Sequence, residues 1–157
     1  MAVIASLLFV VPILGLTFLN ADFKEIMIDP NSISGKFKEM ELGSQSLLIL
    51  LIIALFKTSF AEEILFRGFI AKRLISILGF QRGNFLQAAI FGALHVALLA
   101  TITHNIAFLV LIFIAPMIGA YVSVYLNEKM GDGSIIPGWI SHGLANVISY
   151  SVVGFLI

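Results

Sequence analysis

Glu62 and Glu63 stand side by side at the end of an apolar run, with Arg67 one helical turn further on. An ionised side chain inside a bilayer costs at least ~2.5 kcal/mol and persists there only with a partner, a water-filled cavity or a task. Two histidines, His95 and His142, lie in other apolar segments, and Asn146 follows His142 by one turn. Residues four apart share a helix face, so Glu63 stacks on Arg67, Phe91 on His95, and His142 on Asn146. Glu62 points ~100° away from Glu63. The two carboxylates therefore divide: Glu63 pairs with Arg67 as a structural ion pair, and Glu62 is left free to face a cavity. His142 and Asn146 either glue helices together or donate hydrogen bonds to a developing oxyanion. Taken with Glu62 and His95, one shared chemistry accounts for the set better than a separate structural role for each.

The elements that must carry these groups are membrane helices. Sixty per cent of the residues are hydrophobic and 11% charged, with a mean hydropathy of +1.08, far from a domain with a solvated surface. The expected class is all-α, an integral membrane bundle of about five transmembrane helices forming a single domain over residues 1–157. Nine basic residues balance nine acidic ones, so no charge excess argues for nucleic acid. There is no cysteine, which removes disulfides, thiolate nucleophiles and thiolate metal sites together.

Val3 to Leu19 is nearly unbroken apolar sequence with Pro12 and Gly15 as a kink. It lacks a basic n-region and a clear small-residue cleavage site, and is read as a retained helix rather than a signal peptide. Asn20 to Ser46 is the one sizeable polar stretch and is read as a surface loop. The first helix and this loop, residues 1–46, precede a motif-bearing core over about 47–157. Leu47 to Phe60 leads into the glutamate pair and an amphipathic continuation that Gly79 ends. Phe85 to Thr103, Ile106 to Leu126 and Ile135 to Ile157 form the remaining spans. His104 falls in a short turn and is read as solvated, while Trp139, Tyr121 and Tyr125 are read as interfacial anchors or packing.

Arg67, Lys72, Arg73 and Arg82 lie between the second and third spans with no acid among them, whereas the Asn20 to Ser46 loop has more acids than bases. The positive-inside rule then places the amino terminus in the cytoplasm and the polar loop outside. Helical rise puts Glu62 ~7 Å, His95 ~15 Å, and His142 with Asn146 ~7 to 14 Å in from the cytoplasmic ends of their helices. Three helices thus present polar groups in one leaflet.

The runs EEILFRG from Glu62, FGALH from Phe91 and HGLAN from His142 resemble, in order, the EExxxR, FxxxH and HxxxN motifs of the CPBP intramembrane proteases. That group includes the eukaryotic CAAX-processing endopeptidase and the bacterial Abi proteins. The resemblance spans Ser59 to Asn146 and includes Gly133 to Pro137; many members carry more spans than this chain. It implies a multi-pass protein of a bacterial cell membrane, with Glu62 as general base, His95 holding and activating water, and His142 with Asn146 stabilising the oxyanion. Glu63, Arg67 and Phe91 support them. The chemistry of the residues agrees, because a carboxylate can take a proton from water and return it to a leaving amine, and each oxyanion donor is worth about 3 to 4 kcal/mol of barrier.

Other intramembrane protease designs are missing. The HExxH zinc signature and a glycine-flanked serine are absent, and Gly131 with Asp132 lacks the glycine that a GxGD motif needs. Ser141 adjoins His142, but helix neighbours point apart and make no nucleophile and base pair. No cofactor is expected; a zinc-dependent version held by Glu62, His95 and His142 is the mechanistic rival. Asn146 favours the metal-free reading, since an amide is a poor zinc ligand and a good oxyanion donor. The expected partners are a peptide or protein substrate, membrane-associated, and the lipid bilayer, with a homodimer as a way to complete the cavity. A noncatalytic membrane immunity or scaffold protein is the rival from another class, and a small transporter ranks last for want of a repeated half.

Overall fold

The computed structural model describes residues 1–157 and contains only helices. Helix α1 (Ala2–Leu19) is followed by two short helices, α2 (Ala21–Met27) and α3 (Ile33–Lys38). Helix α4 is continuous over residues 44–78, α5 covers Phe80–Leu99, α6 Ile106–Met130 and α7 Ile136–Leu156. Between α4 and α5 the backbone of Gly79 has φ +77, a left-handed turn that glycine adopts without steric cost, which is why the amphipathic run ends there. Pro137 opens α7, where its missing N–H is one that a first helical turn leaves unbonded anyway.

Three helices, α1, α6 and α7, are long and apolar enough to cross a membrane. Large side chains such as Ile4, Phe18, Leu98 and Ile106 are mostly exposed. In water so much apolar surface would associate, whereas lipid accepts it at no cost, so the bundle needs little interior. Part of that interior lies against the polar motifs. Phe66, Ala88, Phe91 and Ala120 form one small cluster, with Ile70, Met117 and Tyr121 packed around it. Helix α5 lies along α6, and α7 packs against both α1 and the first half of α4. Helix α7 runs antiparallel to α4: Gly138 meets Glu63, Gly143 meets Leu55, and Val147 and Tyr150 pack on Leu50 and Ala54.

Two stretches of α4, Ile53–Phe60 and Glu63–Ala71, are wound as wide π-helical turns. Such turns shift the hydrogen-bond ladder by one residue and free carbonyls for other donors. Thr58 Oγ1 donates to Ile53 O at 2.9 Å, Ser59 Oγ to Ala54 O at 2.5 Å, and Trp139 Nε1 to Leu55 O at 2.7 Å. The carbonyls of Ile53, Ala54 and Leu55 in the first stretch are therefore bonded from within the protein, as a chain surrounded by hydrocarbon requires.

The stretch from Asn20 to Ser46 is not a plain surface loop. Asn20 caps α2 through Phe23 N and Ser32 caps α3 through Gly35 N, each accepting one of the orphan donors of a first turn. Phe23 and Phe37 are fully buried. Phe23 meets Phe108 edge-on at 5.2 Å, and Phe37 sits 5.8 Å from Phe155 and 6.2 Å from Tyr150. Each short helix carries too few large apolar residues to form a periodic stripe, and the neighbours that bury them come from α6 and α7. His104 is exposed, as expected of a turn.

Candidate active site

Helix α4 brings Glu62, Glu63 and Arg67, α5 brings Phe91 and His95, and α7 brings His142 and Asn146. Glu63 is fully buried and lies 3.2 Å from Arg67 Nε, itself 3% exposed. The guanidinium stacks on the Phe91 ring, with its central carbon 4.3 Å from the centroid. Phe91 lies 4.5 Å from the His95 ring and 6.2 Å from that of His142. Phe91 is thus the apolar hub on which the charged groups turn.

Glu63 does more than pair with Arg67. Its Oε2 accepts from Ser123 Oγ at 2.9 Å and from Asn127 Nδ2 at 3.4 Å, and its Oε1 lies 3.4 Å from His142 Nδ1. Asn127 Oδ1 in turn accepts the Gly138 N–H at 2.7 Å. A carboxylate sealed from water is tolerable only with such a full set of partners. Only a glycine fits at 138, because the carboxylate and its two polar donors occupy the space of a side chain.

Glu62 is one-third exposed, and its Oε2 stands 3.7 Å from His142 Nε2. That oxygen is covered and has no hydrogen-bond partner. His142 therefore lies between two carboxylates, Glu63 at Nδ1 and Glu62 at Nε2. His95 Nδ1 contacts the Phe91 carbonyl at 2.9 Å. A carbonyl only accepts, so Nδ1 carries the hydrogen and Nε2 is the basic nitrogen of the neutral ring. Asn146 Nδ2 donates to Thr58 Oγ1 at 3.1 Å and to Ser59 Oγ at 3.0 Å. Since both hydroxyls donate to backbone carbonyls, they can only accept from Asn146, which fixes the orientation of the amide.

Arg67, Phe91, His95, His142 and Asn146 border one cavity of about 250 Å³. Glu62 is not among the residues that border it and adjoins the group through His142. The rest of the wall is largely apolar and includes Phe9 and Ile13 of α1 and Met27 of α2.

The zinc set of Glu62, His95 and His142 is not gathered as a metal site, for no three His, Asp or Glu side chains stand close enough to hold an ion. Both ring nitrogens of His142 already face carboxylates. Thr58, Ser59, Ser123, Asn127 and Gly138 were not singled out in the sequence. A signal was there: Thr58 and Ser59 lie one turn before the glutamates, and Ser123 and Asn127 lie four apart in an apolar span.

A model of the family described as Type II CAAX prenyl endopeptidase Rce1-like matches residues 44–148. The chain belongs to this family. No curated protein and no solved structure matches it. The Rce1-like match starts at the first residue of α4 and closes just beyond Asn146, so it holds every motif residue and leaves α1 to α3 outside. Those helices nonetheless build part of the cavity wall. An Rce1-like chain is a protease by family, and with its lipid-length helices it is an integral membrane protein.

Proposed function

We propose that the chain is an intramembrane endopeptidase that cleaves a peptide bond with water activated by Glu62. Water held between Glu62 and His95 Nε2 loses a proton to Glu62 as its oxygen attacks the carbonyl carbon. The oxyanion is stabilised by His142 and Asn146: a protonated His142 ring donates from Nδ1 to Glu63 and from Nε2 to the oxygen, and Asn146 turns to the oxygen one of the two N–H bonds that it gives at rest to Thr58 and Ser59. Glu62 then returns its proton to the leaving amine. The polar groups sit near the cytoplasmic face of a bundle of about five spans, α4 and α5 crossing beside the three most apolar helices, with the amino terminus inside. The substrate is a peptide or protein with apolar residues flanking the scissile bond, which the Phe9, Ile13 and Met27 side of the cavity suits.

The observation that carries this reading is the convergence of His95, His142, Asn146 and Arg67 from three helices on one cavity, with Glu62 next to His142. Against a purely scaffolding cluster stand its unsatisfied members. Polar groups that only join helices satisfy one another, whereas Glu62 Oε2, Arg67 Nη1 and Ser141 Oγ are buried without partners.

The test incubates the purified protein in detergent with a library of internally quenched peptides, beside its Glu62→Gln and His95→Ala variants. Cleavage by the wild-type chain, lost in both variants while they still fold, is the expected result. Peptides left intact by all three proteins, or cut equally by all three, would overturn the assignment.

A further inference from the structure

Ser141 takes no part in the reaction as set out above, yet it stands on the wall of the same cavity as His95, His142 and Asn146. The residue is 2% exposed and its Oγ has no hydrogen-bond partner. Serine in a helix ordinarily hydrogen-bonds back to the carbonyl of the preceding turn, as Ser6, Thr17, Thr58 and Ser59 all do here. Ser141 does not. An unmade hydrogen bond at a buried hydroxyl costs stability, and such a cost at a cavity wall is recovered when a ligand supplies the acceptor. One other buried donor on this wall is equally idle: Arg67 Nη1, on a side chain whose Nε already faces Glu63.

Charge decides what the two donors receive. Glu63 and Arg67 offset each other, and the protonated His142 of the proposed reaction offsets an ionised Glu62, so the cluster is neutral. A ligand carboxylate would bring one uncompensated charge into a medium that screens poorly. A peptide carbonyl is neutral on arrival. It becomes an oxyanion only as Glu62 takes up a proton, so the total charge of the site does not change during the step.

We propose that Ser141 is a further catalytic residue, whose Oγ–H, backed by the Arg67 guanidinium, hydrogen-bonds the carbonyl oxygen of the scissile peptide bond. This rests on the hydrolase reading above. As water attacks, a new C–O bond forms, the π pair of the carbonyl moves onto its oxygen, and Glu62 holds the proton lost by water. The Ser141 hydrogen bond strengthens with that charge. On collapse the carbonyl re-forms, the C–N bond breaks, and the amine leaves with the proton from Glu62. Ser141 forms no covalent bond. The hydroxyl adds a donor where Asn146 already has Thr58 and Ser59 as acceptors.

The experiment compares wild type, Ser141→Ala, Ser141→Thr and Glu62→Gln on the library peptide that the wild type cleaves fastest, with thermal unfolding of each in the same detergent. Ser141→Ala is expected to lower kcat about 100-fold with KM within a few-fold, and its unfolding temperature is expected to match or exceed that of wild type, because an unpartnered buried hydroxyl is gone. Ser141→Thr keeps a hydroxyl and is expected to recover part of the loss. Two outcomes overturn the inference while leaving the hydrolase reading in place: a fully active Ser141→Ala beside an inactive Glu62→Gln, or a Ser141→Ala whose kcat loss comes with a matching fall in unfolding temperature. Full turnover by Glu62→Gln refutes the hydrolase mechanism itself and Ser141's role with it.

Discussion

Replacing Gly138 by alanine separates local helix propensity from tertiary packing, because the two predict opposite signs. In an open helix interior, glycine to alanine stabilises by about 0.8 to 1 kcal/mol. At Gly138 the added methyl would collide with Ser123 Oγ and stand 2.5 Å from Glu63 Oε2 and 2.8 Å from Asn127 Nδ2. The start of α7 must then back away from α4 and α6. That separation weakens the Gly138 N–H to Asn127 bond and the two hydrogen bonds that Glu63 accepts. A hydrogen bond to a charged group contributes about 1.5 to 3 kcal/mol, and forcing a methyl into a packed site costs about 1 to 3 kcal/mol. Even with partial relaxation, a net loss of about 3 kcal/mol is expected after the propensity gain. Gly15 is the control: nothing lies within 4 Å of its Cβ position, so Gly15→Ala should be neutral or slightly stabilising. Reversible unfolding in mixed detergent and SDS micelles measures both. Gly138→Ala as stable as Gly15→Ala would refute the claim that the buried carboxylate network sets the distance between these helices.

Glu63→Ala should destabilise by about 3 to 5 kcal/mol, since it leaves the buried Arg67 without its counter-charge; denaturant titration checks it, and Arg67→Met combined with it should recover part of the loss. Ser59→Ala should lower kcat about tenfold by loosening the Asn146 amide, and combining it with Asn146→Ala should add little, a non-additivity read from a double-mutant cycle. Turnover should survive 1,10-phenanthroline, because the chain assembles no group of three metal-holding side chains; loss on chelation with recovery by zinc would show a metal role for Glu62, His95 and His142.

Much of the site was legible in the residues alone. Side chains four apart on one helix are neighbours whatever the rest of the fold does, so the Glu63 and Arg67 pair and the stacking of Phe91 on His95 followed from spacing, and the structure has both. The cost of charge in lipid marked Glu62 and Glu63 before any contact was known, and the placement of both histidines in apolar runs pointed to a shared cluster. The left-handed turn at Gly79 was equally local. Composition alone fixed the solvent, because no aqueous surface can be built from so few polar residues.

Contacts between helices decided the rest. Nothing in the spacing of Glu62 and His142 placed them 3.7 Å apart, or set His142 between two carboxylates, since that depends on α7 running antiparallel to α4. The π-helical stretch Ile53–Phe60 was equally out of reach, since side chains and Trp139, from α7, take up its carbonyls. The stretch from Asn20 to Ser46 looked like solvated loop because its apolar residues are isolated along the chain, yet Phe23 and Phe37 are buried by partners from α6 and α7. Sequence determines what each residue can do and which neighbours it has within a turn. Which distant residue fills the remaining valence, and which polar atoms are left without one, is settled only when whole helices pack.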